Sequence, residues 1–319
     1  MNWGFIGASQ WAARYLIPAV RAVEDATPVG VFSSSAERGA RFAEEAGLER
    51  AYGSLDELLA DPGIDAVYIG TTNELHAERT IAAARAGKHV LCEKPLALTL
   101  AEAGAMIEAA EEAGVVLATN HHLRAAPTIR AMRERVEAGA IGEIVAARVF
   151  HARSLSEELR TWRLRRPEAG GGVVLDITVH DADTVRFLLG DEVAEVTALT
   201  ANQGLAEPPL EDSAMGVMRM RGGQLVSFHD AFTVPHAGTG FELHGTEGSL
   251  IGREVMTPDP IGEVLLRRVD EVEEVEIAAR PPIYEQVVRS FEAAAPSSPV
   301  ASGLPSPRAA ASKLRTTCS

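Results

Sequence analysis

Three groups of residues in this 319-residue chain have types and spacings that could do chemistry. The run His89-Val90-Leu91-Cys92-Glu93-Lys94-Pro95 ends an apolar strand with a charged pair and a proline. Ligands of open parallel sheets bind beyond the carboxyl ends of the strands, so Lys94 can aim its ammonium at a substrate oxygen there. Taken alone, a Glu-Lys pair on a loop is as readily a solvated surface feature. The second group is Asp176-x-x-x-His180. Residues four apart share a helix face, and a carboxylate beside an imidazole raises its basicity and holds it ready as a proton donor. The same spacing also describes an ordinary surface pair.

The third group lies at the N-terminus, in Ile6-Gly7-Ala8-Ser9-Gln10-Trp11-Ala12. A G-x-G-x-x-G turn after a first strand cradles a dinucleotide: its glycines make the tight turn, admit the pyrophosphate and allow close helix packing. Here Gly7 fills the first role and Ala12 the third. Ser9 replaces the second glycine and offers a hydroxyl to a phosphate oxygen, next to the free amides of a helix N-terminus. The second strand then selects the cofactor. Where an NAD site carries an acid, this chain has Phe32-Ser33-Ser34-Ser35-Ala36-Glu37-Arg38. Small hydroxyls leave room for a 2′-phosphate, and Arg38 can neutralise it, so NADPH is the expected cofactor. The serines also suit a plain helix cap.

These groups need elements to position them. Up to about residue 120, strand-like runs (Trp3–Ile6, Pro28–Phe32, Ala66–Gly70, His89–Cys92, Val115–Thr119) alternate with helical stretches at Ala36–Ala46, Leu55–Leu59, His76–Ala86 and Leu100–Ala113. Gly87 and Gly114 close two of these helices. The alternation predicts a parallel sheet covered on both faces, a Rossmann domain over residues 1–122. Beyond it, Ile144–His151, Val193–Thr200, Ala214–Met220, Leu225–Asp230, Phe241–Gly245 and Val264–Val269 are strand-like and often joined by short glycine turns. They predict a large open, mostly antiparallel sheet in an α+β substrate domain over 123–295, with helices at Pro127–Ala138 and Gly172–Leu189. Ala237-Gly238-Thr239-Gly240 reads as a turn able to act as a hinge. Residues 296–319, rich in Pro, Ser and Ala, are expected to form an atypical, disordered or loosely packed tail.

Composition narrows the function classes. With 46% hydrophobic and 24% charged residues the chain can bury a substantial core, and its length favours two domains. A formal net charge of −15 argues against a nucleic-acid partner. No apolar run is long enough for a membrane span, and no secretory signal is read at the N-terminus. Two cysteines, Cys92 and Cys318, make no disulfide framework and suit a reducing cytoplasm. No metal-type Cys/His spacing stands out. The oligomeric state is not legible from these residues.

In this order, Gly7-x-Ser9, Glu93-Lys94-Pro95 and Asp176-x-x-x-His180 resemble the Gfo/Idh/MocA family of sugar and polyol oxidoreductases, to about residue 290. Thr71-Thr72-Asn73-Glu74-Leu75-His76, with Thr72 where the family usually has proline, resembles a branch that reduces the keto-sugar 1,5-anhydro-D-fructose. The resemblance implies that Lys94 binds the reacting oxygen, His180 donates the proton and Asp176 orients substrate hydroxyls. It implies that Trp162, Arg163 and Tyr284 close the site from the second domain, Arg163 and Tyr284 touching substrate. Gly7, Ser9, Gln10, Ala12, Ser33, Ser34, Arg38, Thr71, Thr72, Asn73, His76, Glu93, Lys94 and Asn120 would line the cofactor, together with Trp162 and Arg163. The end of the chain departs from the family's closing helix. An NAD(P)-linked polyol or inositol-type dehydrogenase is the alternative. A silent sugar sensor would be expected to lose Lys94 or His180, and both are present.

Overall fold

Apolar runs with no exposed face become central parallel strands. A computed structural model describes residues 1–295 and Arg315–Thr316, and in it such runs build the first of two units, Met1–His121 with the segment from Tyr284 onward. Its elements alternate: β1 (Asn2–Ile6), α1 (Ile17–Ala22), β2 (Thr27–Phe32), α2 (Ala36–Ala46), β3 (Arg50–Tyr52) and α3 (Leu55–Ala60). They continue as β4 (Ala66–Ile69), α4 (His76–Arg85), β5 (His89–Cys92), α5 (Leu100–Ala113) and β6 (Leu117–Thr119). The strands lie in the order β3-β2-β1-β4-β5-β6, all parallel, so the strand order reverses beside β1 and β4. That reversal is where doubly wound sheets bind dinucleotides. Strand β3 left no apolar signature because it is a short, largely exposed edge.

Local chemistry sets the helix ends. The Ser35 hydroxyl accepts the Arg38 amide at 3.2 Å to start α2, and Thr99 with Glu102 forms a reciprocal capping box on α5. Gly114 closes α5 at φ 67°, and Gly87 stands at φ 75° after α4, as expected for both. The core between sheet and helices gathers Ile6, Leu58, Val67, Ile69, Val90 and Met106.

The segment 284–295, expected in the second domain, belongs to the first unit instead. Trp3 is fully buried there, its indole N–H donating to Glu292 at 3.0 Å and its ring lying 4.9 Å from that of Phe291. The hydrogen bond to a carboxylate contributes roughly 1.5–3 kcal/mol, and the ring pair about 0.5–1.5 kcal/mol. The predicted tail, 296–319, lies outside the described residues except for Arg315–Thr316, which pair in parallel with β6.

The second unit, His122–Ile283, carries α6 (Pro127–Glu137), β7 (Ile144–Ala152), α7 (Val179–Leu189), β8 (Val193–Ala201), β9 (Ser213–Met220) and β10 (Leu225–Ala231). It adds β11 (Gly238–Gly245), β12 (Ser249–Arg253), β13 (Glu263–Arg267) and β14 (Val272–Glu274), and α8 (Ile283–Ala294) follows. The eight strands form one mixed sheet, β14-β13-β12-β11-β7-β10-β9-β8, antiparallel except for the β7–β10 pair. One face alternates inward: Ala147, Val149 and His151 of β7 stand opposite Val226, Phe228 and Asp230 of β10. Helix α7 packs on β7. The expected hinge at Ala237–Gly240 is instead the start of β11. Gly240 is needed inside the strand because a Cβ there would meet the Phe150 ring at 2.5 Å.

Candidate active site

The turn after β1 has the geometry a dinucleotide cradle requires. Gly7 sits at φ 106°, and a Cβ on it would fall 2.8 Å from the Gly70 carbonyl oxygen, so only glycine fits between the ends of β1 and β4. Ser9 Oγ accepts the Ala12 amide at 3.1 Å. The hydroxyl that stands in for the second glycine thus caps the helical run, and its own proton remains to donate. Ala12 is fully buried, as close packing demands, and Gln10 is exposed.

Beyond β2 the three expected side chains form a cluster. Arg38 Nε donates to Ser33 Oγ at 3.0 Å, and its Nη2 to Ser34 Oγ at 3.4 Å. Ser33 is buried, while Ser34 and Arg38 are exposed. The cap and the cation are therefore one arrangement, with hydroxyls and a guanidinium on a single spot at the N-terminus of α2.

The charged pair after β5 is anchored from below. Glu93 Oε1 accepts from Tyr68 Oη and Asn120 Nδ2, both at 2.7 Å, and Glu93 Oε2 lies 3.3 Å from the Lys94 amide. Burial pushes the Glu93 carboxyl up, and these bonds with the Lys94 charge oppose it. Burial holds the Tyr68 phenol well above its ordinary value, so it stays a donor. Asn120 is fully buried and its Oδ1 has no hydrogen-bond partner among the described residues, an acceptor open to a ligand N–H. With the Gly7 turn and the Ser33-Ser34-Arg38 cluster, that orphaned atom fits a nicotinamide dinucleotide on this unit.

Thr71 and Thr72 follow β4 and are partly exposed, but Asn73 and His76 are buried. His76 was expected to line the cofactor. It is 0% exposed, and its Nδ1 lies 2.7 Å from the Pro95 carbonyl. Burial lowers its pKa, so it is a neutral strut behind the loop carrying Lys94. Tyr284 lies in the first unit, stacked 5.0 Å from Tyr15 and edge-on to Trp11. The expectation that it reaches in from the second domain is therefore corrected; α8 carries it back beside the first helix.

In the second unit, Asp176 stands on a π-helical turn (Val174–Thr178) that runs into α7, where His180 follows. Asp176 Oδ2 pairs with Arg163 Nε at 3.3 Å, and the Arg163 guanidinium lies 4.7 Å from the Trp162 ring centroid. The predicted Trp162, Arg163 and Asp176 thus form one group. His180 is buried, with the rings of His122 and His151 at 5.1 and 6.4 Å.

Sequence reasoning missed the floor of this cluster. His151 Nδ1 lies 3.3 Å from Asp181 Oδ1, Asp230 is the register partner of His151 on β10, and Thr178 Oγ1 donates to Asp230 Oδ2 at 2.5 Å. Both acids are fully buried. Burial pushes Asp181 up to about 7, and burial with the charge of Asp181 pushes Asp230 up to about 9. A signal was available: His151 and Asp230 occupy inward positions of otherwise apolar rows, where a polar residue is out of place. Tyr68 was hidden likewise in the apolar run of β4.

Known proteins carry the same plan. Residues 1–121 match the Gfo/Idh/MocA oxidoreductase family with its NAD-binding Rossmann fold, and residues 129–251 match the C-terminal domain of that family. The chain is 54% identical, over 92% of its length and 87% of the relative's, to a 1,5-anhydro-D-fructose reductase of Ensifer adhaerens. Its structure resembles aldose-aldose oxidoreductase from Caulobacter crescentus (TM-score 0.84, 25% identity, covering 92% of this chain and 88% of that one). It also resembles a 3-ketoreductase from Actinomadura kijaniata in complex with TDP-benzene and NADP (TM-score 0.82, 26% identity, 92% and 89% covered).

Proposed function

Since this chain belongs to the Gfo/Idh/MocA family of oxidoreductases, we propose that it reduces 1,5-anhydro-D-fructose to 1,5-anhydro-D-mannitol with NADPH. The observation that carries the substrate is the 54% identity to the Ensifer adhaerens reductase, which spans 92% of the chain and so includes both units. NADPH is supported by the Arg38 guanidinium bonded to Ser33 and Ser34, in the place where an NAD site carries an acid.

Gly7, Ser9, Ser33, Ser34, Arg38 and Asn120 hold the dinucleotide, and the bound nicotinamide supplies the hydride. Lys94 hydrogen-bonds the substrate carbonyl oxygen and stabilises the negative charge that grows there. His180 gives that oxygen its proton. Asp176, held by Arg163, accepts from substrate hydroxyls. Glu93 and His76 fix the loop that carries Lys94.

The test follows the nicotinamide absorbance with purified protein. NADPH should be oxidised with 1,5-anhydro-D-fructose and not with an inositol. Turnover of an inositol with NAD, and none of the keto-sugar, would replace this reading with a polyol dehydrogenase. Lys94→Ala and His180→Ala should each lower turnover by about 10²–10⁴-fold, the range of a lost charge-stabilising or proton-donating group, while dinucleotide binding measured by calorimetry survives.

A further inference from the structure

Two fully buried carboxyls beneath His180 have no role in the chemistry above. Asp181 spends Oδ1 on His151, and Asp230 spends Oδ2 on the Thr178 hydroxyl. The atoms left over, Asp181 Oδ2 and Asp230 Oδ1, are buried without a donor, and both carboxyls sit against His151, Asp181 through its Nδ1 and Asp230 as its register partner on β10. Two carboxylates offer acceptors only, so a bond between them requires a proton on one. One proton satisfies both orphaned atoms at once and leaves a single negative charge in place of two that would repel at close range.

That charge has a defined neighbourhood. Strand β7 turns His151 toward it, β10 supplies Asp230 itself, and the His122–Ala125 turn places the His122 ring against that of His180. Other charges nearby are already matched. Arg124 is held by Asp183 through bonds of 2.8 and 2.7 Å, and Asp176 pairs with Arg163. From α6, Arg130 and Arg133 lie over the Phe187 ring, farther along α7.

We propose that Asp181 and Asp230 share one proton and act as positioning residues for His180, the single charge of the pair compensating one imidazolium in the His122–His151–His180 cluster. The proposal rests on the reading of His180 as the proton donor. A buried imidazolium needs a counter-charge, and Asp181 provides it from the residue adjoining His180, with His151 oriented by its Nδ1 contact. With the pair doubly protonated the cluster would lose that counter-charge. With the pair doubly ionised it would hold one charge too many.

Two isosteric variants separate the charge from the packing. Asp230→Asn keeps the hydrogen bond, by donating from its amide, and keeps the charge on Asp181. Asp181→Asn keeps the hydrogen bond but moves the charge to Asp230, off the residue that adjoins His180 in the chain. The readout is the proton titration of His180, followed by NMR on histidine-labelled protein with neither substrate nor turnover. Failure of the keto-sugar assay therefore leaves this result standing, and the reverse holds too. His180 should titrate in Asp230→Asn as in the wild type, and lower by roughly one pH unit in Asp181→Asn, the scale of a displaced neighbouring charge. Identical titration in wild type, Asp181→Asn and the double variant, all folded, overturns the proposal. Wild-type protein labelled at the aspartate carboxyls gives a check without substitutions. One buried carboxylic-acid signal should persist at pH 8, and two carboxylate signals or two acid signals there would also overturn it.

Discussion

Glu93 in the first unit and the Asp181–Asp230 pair in the second are both carboxyls taken out of water, and the two units solve that problem differently. Around Glu93 the protein places donors: a phenol and a carboxamide at 2.7 Å each, with a backbone amide at 3.3 Å. Around the pair donors are scarce, a hydroxyl and an imidazole nitrogen, and the deficit is met with a proton. Donors fix a geometry that does not depend on pH, which suits a residue that anchors the loop of Lys94. A shared proton makes the local charge titratable, which suits a residue beside a proton donor.

The contrast is open to breakage at both ends. The largest expected effect comes from stripping Glu93 of its donors. Hydrogen bonds to charged groups are worth roughly 1.5–3 kcal/mol each, so Tyr68→Phe combined with Asn120→Ala should lose roughly 3–6 kcal/mol in chemical denaturation. A loss below about 1 kcal/mol would mean that these donors do not hold the carboxylate.

The next effect is one of pH. Asp181 and Asp230, raised to about 7 and about 9, hold protons in the native state that an unfolded aspartate, titrating near 4, has already released. Their stabilising contribution is therefore complete below about pH 4 and is lost as pH rises through about 7 and then about 9. Unfolding midpoints should fall between pH 6 and 9, and Asp230→Asn, with no proton to release, should flatten that fall. Equal slopes in the two proteins would remove the shared proton from the comparison. The smallest effect concerns the backbone. Gly7→Ala forces a side chain into a left-handed position against the Gly70 carbonyl, at a cost of about 1–3 kcal/mol. Dinucleotide affinity should fall with it in calorimetry, and an unchanged affinity would show that the turn has room to spare.

Parts of the site were legible in the sequence because they are local. The Gly7 turn, the Ser33-Ser34-Arg38 group and Glu93-Lys94-Pro95 each occupy a few consecutive residues at the end of an apolar run, and the parallel sheet puts such ends on one edge. The burial of His76 and its contact with the Pro95 carbonyl were not legible, because its sequence neighbours Thr71 and Thr72 are partly exposed on the same loop. Tyr284 was assigned to the second domain because chain order is all a sequence offers for a returning helix. The glycines at 238 and 240 read as a turn because glycine serves turns and close ring contacts equally.

By itself, then, the sequence determined the Rossmann sheet, the glycine turn and the hydroxyl-and-arginine group after the second strand, while Lys94 and His180 came together as candidate chemistry only through the family resemblance. The first three rest on short-range periodicity and on residue types whose backbone needs are specific. Tertiary structure alone decided the rest. It brought β7 and β10 into parallel register so that His151 and Asp230 face one another, and it set α7 with Asp181 beside His151. It also returned α8 to the first unit. A buried proton shared by residues 181 and 230 is a property of distance and desolvation, and neither is written in the order of residues along the chain.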